Sequence, residues 1–552
     1  MGAVSVSKFN STATRPAKGA GPIVVAGPGV THEGAPAFVR DIQSELFLLA
    51  VSNMVGEDTF YEKASDRDAR YAKLVRQAAI EDPIWTVGLL RWLRSDGNMR
   101  SASLVGAAEF VKARLEVRVP SVPAHEVPGW SDDRGIERAV IDAVCQRADE
   151  PGEMLAYWTS TYGRAIPKPV KRGVADAAMR LYAEYPLLKY DTGSRGVRFA
   201  DVLELTHPGD RKGSSQGNRW RGAWQGDLFE HAIDRRHNRD NPTPERLEMI
   251  RANAELRELA EGDPQAMLDA DRLRAAGMTW EDVLSLVGAK LDKAKLWAAL
   301  IPSMGYMALL RNLRNFDEAG VPDAIADQVA ARLADPEQVA KSRQFPFRFL
   351  AAYEAAPSLR WGHALDKALT AALSNVPQLD GRTLVLIDTS ASMTNGRFSA
   401  KSTMTAAKAA AVFGVVLAMR CGADVYGFAD GVFKHEVPKG ASALKEIDRF
   451  LKRTGEVGHG TQILASLQRT WAGHDRVFII SDMQTMDGHY AHGVSNAVPS
   501  TVAMYGFNLG GYRATPIEAG KTNRIEFGGL TDATFRMVPL IEAGKRAAWP
   551  WM

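Results

Sequence analysis

The sequence predicts a mainly α-helical chain that ends in an α/β domain. Three observations carry this. From about Pro36 to Ala356, apolar residues recur at three-to-four spacing between short polar or Pro/Gly breaks. Strand-like alternation is nearly absent from that span. From Thr383 onward, short apolar runs alternate with helical ones, the pattern of a doubly wound sheet. At 552 residues the chain exceeds what one hydrophobic core organises, so at least two domains are expected. With 45% hydrophobic and 24% charged residues the composition is that of an ordinary globular protein, which argues against fibrous and disordered classes.

In chain order, residues 1–30 are rich in Gly, Ser, Thr, Ala and Pro and lack an apolar export core. A flexible lead-in is expected there. Val6 stands where a myristoylation signal needs Ser or Thr. Residues 31–376 form the expected helical domain, with helices over PAFVRDIQSELFLLAVSNMV, ARYAKLVRQAAI, IWTVGLLRWLRS, SASLVGAAEFVKARL, IERAVIDAVCQRA, ERLEMIRANAELRELA and KLWAALIPSMGYMALLRNL. Helix following helix suggests stacked pairs of the HEAT type, although no fixed period proves it. The boundary falls in SNVPQLDGRT, and residues 377–552 form the α/β domain. Within it LVLI, DVYGFA, RVFIIS and VAMYGFNL read as strands. The apolar run Ala409 to Met419, fenced by Lys408 and Arg420, is too short for a membrane span and reads as a buried helix. Cys145 and Cys421 are far apart and make no ligand spacing, which points to a reducing, cytoplasmic setting.

The stretch TLVLIDTSASM ends a buried strand in an acid and two hydroxyls. In a doubly wound sheet, ligands gather at the carboxyl ends of the strands. Asp388, Ser390 and Ser392 hang over that edge; Thr461 follows GHG, and Asp482 follows RVFIIS. Two acids and three hydroxyls are hard oxygen donors suited to Mg²⁺ or Mn²⁺. If the hydroxyls bind directly and the acids act through water, one position stays open, and a partner's carboxylate can fill it. The bland alternative is that Asp388 and the serines cap the next helix. Catalytic readings lack a nucleophile or base at working spacing. EAGKT lacks the leading Gly of a phosphate loop, since Thr515 stands there, and His489 and His492 are spaced as loop residues. The constellation resembles the metal-ion-dependent adhesion site of von Willebrand factor A domains.

Between Arg164 and Arg221, twelve Lys and Arg face six Asp and Glu, a local surplus of +6 against +3 for the chain. Lys168, Lys171 and Arg172 open a helix. Downstream, RKGSSQGNRWRGAWQG is a Gly-rich basic loop that begins with Arg211 and Lys212 and interleaves Trp220 and Trp224. Cations for phosphates and rings for stacking suit single-stranded RNA. A solvated helix face with core tryptophans is the alternative.

THEGAPAF, DTFYE, RWLRSDGNMRSASL, GRAIPKPVKRGVAD, LKYDTGSRGVRFADVLELTHP, IPSMGYMALLRNL and FPFRFLAAYE occur in an order that resembles the TROVE module of the Ro ribonucleoprotein family. The following D-x-S-x-S domain is similar to that family's second half. The resemblance implies a ring of HEAT-like helical repeats closed by a doubly wound, Rossmann-like von Willebrand A domain, acting as a non-catalytic monomer away from membranes. It implies binding of small noncoding Y-like RNAs and of single-stranded 3′ ends of misfolded RNAs, in RNA quality control or processing. An exoribonuclease such as polynucleotide phosphorylase, bridged by RNA, is an implied partner. The family's basic helix start falls on Lys171 and Arg172, and its histidine on His207. Glu204 stands where the family has Arg, and SDMQ replaces T-D-N or T-D-G around Asp482. A metal-dependent protein-binding scaffold without RNA is the competing class.

Overall fold

A computed structural model of the chain describes residues 19–52, 54–209, 222–398, 402–487 and 493–552. Its contacts resolve two compact units. One comprises the described residues up to Leu74, with Phe345–Ala351 and Leu369–Met552; the other comprises Val75–Gln344 and Ala352–Ala368. Composition instead places the boundaries after residues 30 and 376. Packing moves the first: N-terminal residues that look like linker by composition complete the α/β unit.

In that unit, β1 (Val25–Val30) pairs antiparallel with β2 (Pro36–Arg40). PAFVR is therefore a strand, and the following helix runs only from Ile42 to Ser52. The expected flexible lead-in also ends sooner than residue 30. Gly19 N–H donates to the Ile541 carbonyl (2.8 Å), Ala547 N–H to the Ala20 carbonyl (2.9 Å), and Ile23 is buried. Backbone pairing supplies what VAGPGV lacks in strand propensity.

The main sheet contains β3 (Thr383–Asp388), β4 (Asp424–Phe428), β5 (Val432–His435), β6 (Arg476–Ser481), β7 (Ala503–Asn508) and β9 (Arg524–Gly528), in the order β5-β4-β3-β6-β7-β9. The two-residue β8 (Ala514–Thr515) joins β1 and β2 in the small sheet. β5 runs antiparallel to β4, and the other neighbours are parallel. β3, β6 and β7 are buried along their whole length, as continuous apolar runs such as LVLI and VFII require. One face packs Leu384, Leu386, Val477, Ile479 and Met504 against Ile463 and Leu467. On the other lies the buried helix Ala406–Cys421, which approaches closely because Gly414 sits over Ile387 and Ile480, where a Cβ would meet Ile387 Cδ1 at 2.5 Å. From β3 the chain first builds outward through β4 and β5, then returns to place β6 on β3's other side. The loops after β3 and β6 thus flank the topological switch point, where ligands of such sheets bind.

The other unit is helical throughout its regular elements. KLWAALIPSMGYMALLRNL breaks at Pro302 and Gly305 into Lys293–Leu300, a 3₁₀ turn Ile301–Ser303 and Tyr306–Glu318. The basic segment GRAIPKPVKRGVAD forms the start of the helix Lys168–Leu181, with Pro169 in its first turn, where a missing N–H costs nothing. This helix packs on Ile136–Val144 through Gly173, whose position a Cβ would drive to 2.6 Å from Ile141 Cβ. Among the described residues, no helix is long and apolar enough to cross a membrane.

Candidate functional site

At the carboxyl end of β3, Asp388 is wholly buried. Its Oδ1 accepts from Ser390 N–H (2.8 Å) and its Oδ2 from the Ser481 hydroxyl (2.5 Å), so the acid ties the loop after β3 to the end of β6. Thr389 N–H and hydroxyl both donate to the Phe428 carbonyl at the end of β4. These bonds fix the turn and bring the Ser390 and Ser392 hydroxyl oxygens to 3.2 Å from each other. Ser390 is the N-cap of the short helix Ala391–Asn395, yet its side chain caps nothing. The capping alternative therefore fails for this hydroxyl.

Thr461 reaches the same edge through GHG. Ala391 N–H donates to the His459 carbonyl (2.8 Å), and Asp430 Oδ2 accepts from the N–H groups of His459 (2.9 Å) and Gly460 (3.1 Å). Glycine is required here twice over: Gly458 has φ +93°, and a Cβ at Gly460 would lie 2.2 Å from Asp430 Oδ1. The Thr461 carbonyl accepts from Met486 N–H (2.7 Å) and the Thr485 hydroxyl (3.0 Å), joining this loop to the one that carries Asp482. The helix itself begins at Ile463, just after Thr461. Asp482 is buried, with Oδ1 accepting Gln484 N–H at 3.1 Å.

Burial pushes the Asp388 and Asp482 carboxyls well above the usual carboxylate range, and the charge of Asp388 raises Asp482 further. Among the described residues neither acid has a basic ion-pair partner. Two like charges out of water call for a cation. No group of three or more His, Cys, Asp and Glu gathers among the described residues. The hydroxyl and carboxylate oxygens instead fit a hard divalent ion such as Mg²⁺ or Mn²⁺, with Ser390, Ser392 and Thr461 as candidate direct donors and the acids able to orient water.

N-terminal residues that sequence reasoning did not place in this site lie against it. The turn 31–34 is pinned to the loop after Asp482: the Thr31 hydroxyl donates to the Thr485 carbonyl (2.9 Å) and His32 N–H to Gln484 Oε1 (2.8 Å). Burial, the bond to Glu33 and the charge of nearby Asp482 drive the Tyr61 phenol upward. Ser392 and Asp482 line a cavity of about 20 Å³ with Thr59, Phe60 and Tyr512. DTFYE carries part of the family resemblance, but nothing local in it points to residues more than 300 positions away.

In the helical unit, Lys168 and Arg172 are exposed and Lys171 is half-buried. Among the described residues none of the three is ion-paired. Their basic neighbours are: Arg134 and Arg138 bind Asp176 (2.5 and 2.6 Å), and Arg180 binds Asp142 (2.8 Å). Lys168 and Arg172 border a cavity of about 400 Å³ shared with Arg114, Arg134, Arg138 and Glu137. Unneutralised cations thus collect at the N-terminal end of one helix, where the helix dipole adds positive potential.

His207 ends the helix Phe199–Thr206 in the left-handed region (φ 47°) and is exposed. Glu204 is held 2.7 Å from His237 Nε2. Trp224 is 37% exposed, with Nε1–H donating to Glu184 Oε1 (3.3 Å), so it is not a core tryptophan. Arg211, Lys212, Trp220, His489 and His492 lie outside the described residues.

The TROVE domain family matches residues 272–362. Telomerase protein component 1 of Mus musculus is 42% identical over 83 residues, 15% of this chain and 3% of that protein. The same component of Rattus norvegicus is 42% identical over 79 residues, 14% of this chain and 3% of that one. The match thus spans about 3% of the length of these curated relatives. A crystal structure of the Ro protein (RSR) of Deinococcus radiodurans superposes with a TM-score of 0.57 at 18% identity, covering 90% of this chain and 99% of that one.

Proposed function

We propose that the chain, which matches the TROVE domain family over residues 272–362, is a non-catalytic RNA-binding protein of the Ro type that holds small structured noncoding RNAs and captures single-stranded RNA 3′ ends. The observation that carries this reading is the set Lys168, Lys171 and Arg172, cations without carboxylate partners amid arginines that have them. Three unneutralised cations together at a helix start suit an external polyanion. Exposed His207 and half-exposed Trp224 add ring faces for unstacked bases. The 3′ end, the Y-like character of the RNA and an exoribonuclease partner extend the reading by family resemblance.

A second reading rests on the hydroxyl and carboxylate cluster. A divalent ion on Ser390, Ser392 and Thr461 would supply a point of positive charge for an acidic protein partner. Asp388 and Asp482 hold that geometry and offset the ion's charge. Peptide-mapped RNA crosslinking of the full-length protein separates the two. Adducts across residues 164–221 support the RNA reading, and their absence alongside metal-dependent protein capture favours the scaffold.

A further inference from the structure

The resemblance leaves one position of the cation site open for a partner's acid. The residues around it point elsewhere. Tyr61 O–H donates to Glu33 Oε1 at 2.6 Å. With its proton committed to Glu33, the phenol oxygen keeps its lone pairs free, and the residues just before it, Thr59 and Phe60, line one cavity with Ser392 and Asp482.

Two ring contacts fix the tyrosine in this pose. His32 stacks on its ring (centroids 5.1 Å, planes 7° apart) and Tyr512 packs edge-on (5.3 Å). The preceding and following residues are tied down as well. Thr59 N–H donates to the Glu62 carbonyl (2.9 Å), and Glu62 is gripped by Arg67 (2.7 Å) and Arg70 (2.8 Å). Arg67, itself 1% exposed, donates to the Gly510 carbonyl (3.0 Å) and lies over the Tyr512 ring. Glu33 belongs to the turn whose neighbours Thr31 and His32 bond the loop after Asp482. A carboxylate and a phenol are thus delivered to the site by the chain's own N-terminal segment, on a frame of part-buried ion pairs.

We infer that Tyr61, oriented by Glu33, closes the open side of the cation site, standing where an external carboxylate would otherwise bind. The inference rests on the reading of Ser390, Ser392 and Thr461 as cation donors. It changes what that site is for. With the position filled from within, the ion ties the N-terminal segment to the sheet edge, and an acidic partner gains access only by displacing Tyr61.

The test uses full-length protein and Mn²⁺, read by binding titration and by water-proton relaxation, which reports exchangeable waters on the bound ion. Wild type is expected to bind Mn²⁺ with low relaxation enhancement that acetate does not alter. Tyr61→Phe, which keeps the stacked ring and removes only the hydroxyl, is expected to raise the enhancement by one water's worth and make it fall on adding acetate. Loss of this oxygen should weaken Mn²⁺ by at least about ten-fold, the lower end for removing even a partner that only orients a metal ligand. Glu33→Ala, on an exposed turn, should act in the same direction and serves if Tyr61→Phe fails to fold. Asp388→Ala should abolish binding. If Mn²⁺ binds wild type but both relaxation and acetate response are unchanged in Tyr61→Phe and Glu33→Ala, the closure is overturned while the cation site stands. If wild type binds no Mn²⁺ at all, both fall.

Discussion

Arg40 and Glu526 form a two-pronged ion pair, Nε to Oε2 at 2.7 Å and Nη2 to Oε1 at 2.5 Å, with neither side chain exposed to water. Arg40 ends β2 and Glu526 lies in β9, so the bond fastens the N-terminal hairpin to the sheet. Arg40 Nη1 also donates to the Tyr512 carbonyl, and Asn508 Nδ2 donates to Glu526 Oε1 at 2.9 Å. Removing Arg40 would strand a buried carboxylate. Arg40→Met is expected to destabilise the α/β unit by about 3–5 kcal/mol, and adding Glu526→Gln to return part of the loss. Urea unfolding of the single and double variants measures both. For the same reason a fragment beginning at residue 377 should unfold at lower urea than one carrying residues 19–74 as well.

This pair also shows where sequence reading stops. The strands of the main sheet that are continuous apolar runs, the Ala406–Cys421 helix and the edge loops with Asp388 and Asp482 are legible because each depends on local pattern. β1 and β2 are not. VAGPGV has the composition of a linker, and it is a strand only because PAFVR pairs with it. Tyr61 and Glu33 are invisible for a related reason: their neighbours Ser392 and Asp482 arrive from the other end of the chain.

The unpaired cations set the salt dependence of RNA binding. Each phosphate neutralised by Lys or Arg releases counterions, so log Kobs falls with log salt at a slope of about −0.9 per contact on duplex-like backbone. Lys171→Ala with Arg172→Ala should flatten that slope by about 2 if each makes one contact, at unchanged melting temperature. Arg138→Ala should behave differently, since it leaves Asp176 with one fewer partner and lowers stability. Fluorescence anisotropy with a labelled hairpin RNA across a salt series reads the first effect. A slope unmoved by the double change removes the electrostatic argument for this helix.

His207 separates strand capture from hairpin binding. Its positive φ makes Ala a poor probe, because a Cβ residue without a local hydrogen bond is strained there. His207→Asn keeps the backbone conformation and removes the imidazole. It should leave the melting temperature nearly unchanged and weaken RNAs with free single-stranded 3′ ends by about 1–3 kcal/mol, the scale of a base stacked on a ring. Compact hairpins should bind as before. Equal weakening of both classes would place His207 outside the strand path.

Acid sensitivity of the α/β unit should centre on His435 in β5. Its ring is 3% exposed, and burial with the nearby positive charges of Arg449 and Arg453 depresses its pKa from 6.5 to about 4. Glu436 acts in the other direction, and Glu446 Oε2, 3.3 Å away, makes no aligned hydrogen bond to the ring. The folded state therefore keeps a neutral histidine that the unfolded chain protonates first. The stability this provides is complete above the unfolded pKa of 6.5 and is lost as pH falls toward 4. Between pH 7.5 and pH 5 the loss should approach about 2 kcal/mol. His435→Gln should remove most of that dependence. Urea midpoints at the two pH values decide it, and an equally steep fall in the variant would shift the cause to another group.

The cation site and the RNA surface should be separable by one substitution. Asp388 joins the turn after β3 to the end of β6 through Ser390 N–H and the Ser481 hydroxyl, so its loss disturbs the spacing of the Ser390 and Ser392 hydroxyls. Lys168, Lys171 and Arg172 belong to the other compact unit. Asp388→Ala is therefore expected to abolish Mg²⁺ and Mn²⁺ binding while leaving RNA affinity within about two-fold, since sites without shared partners act independently. Asp388→Asn keeps an acceptor for Ser390 N–H but removes the charge. It should retain the turn and still lose most cation affinity, which separates collapse of the loop from loss of electrostatic compensation. Calorimetric titration with each ion, set beside RNA anisotropy with and without chelator, makes the comparison. Release of RNA by chelator would show that the ion stabilises the RNA surface as well, and the independence of the two sites would then be wrong.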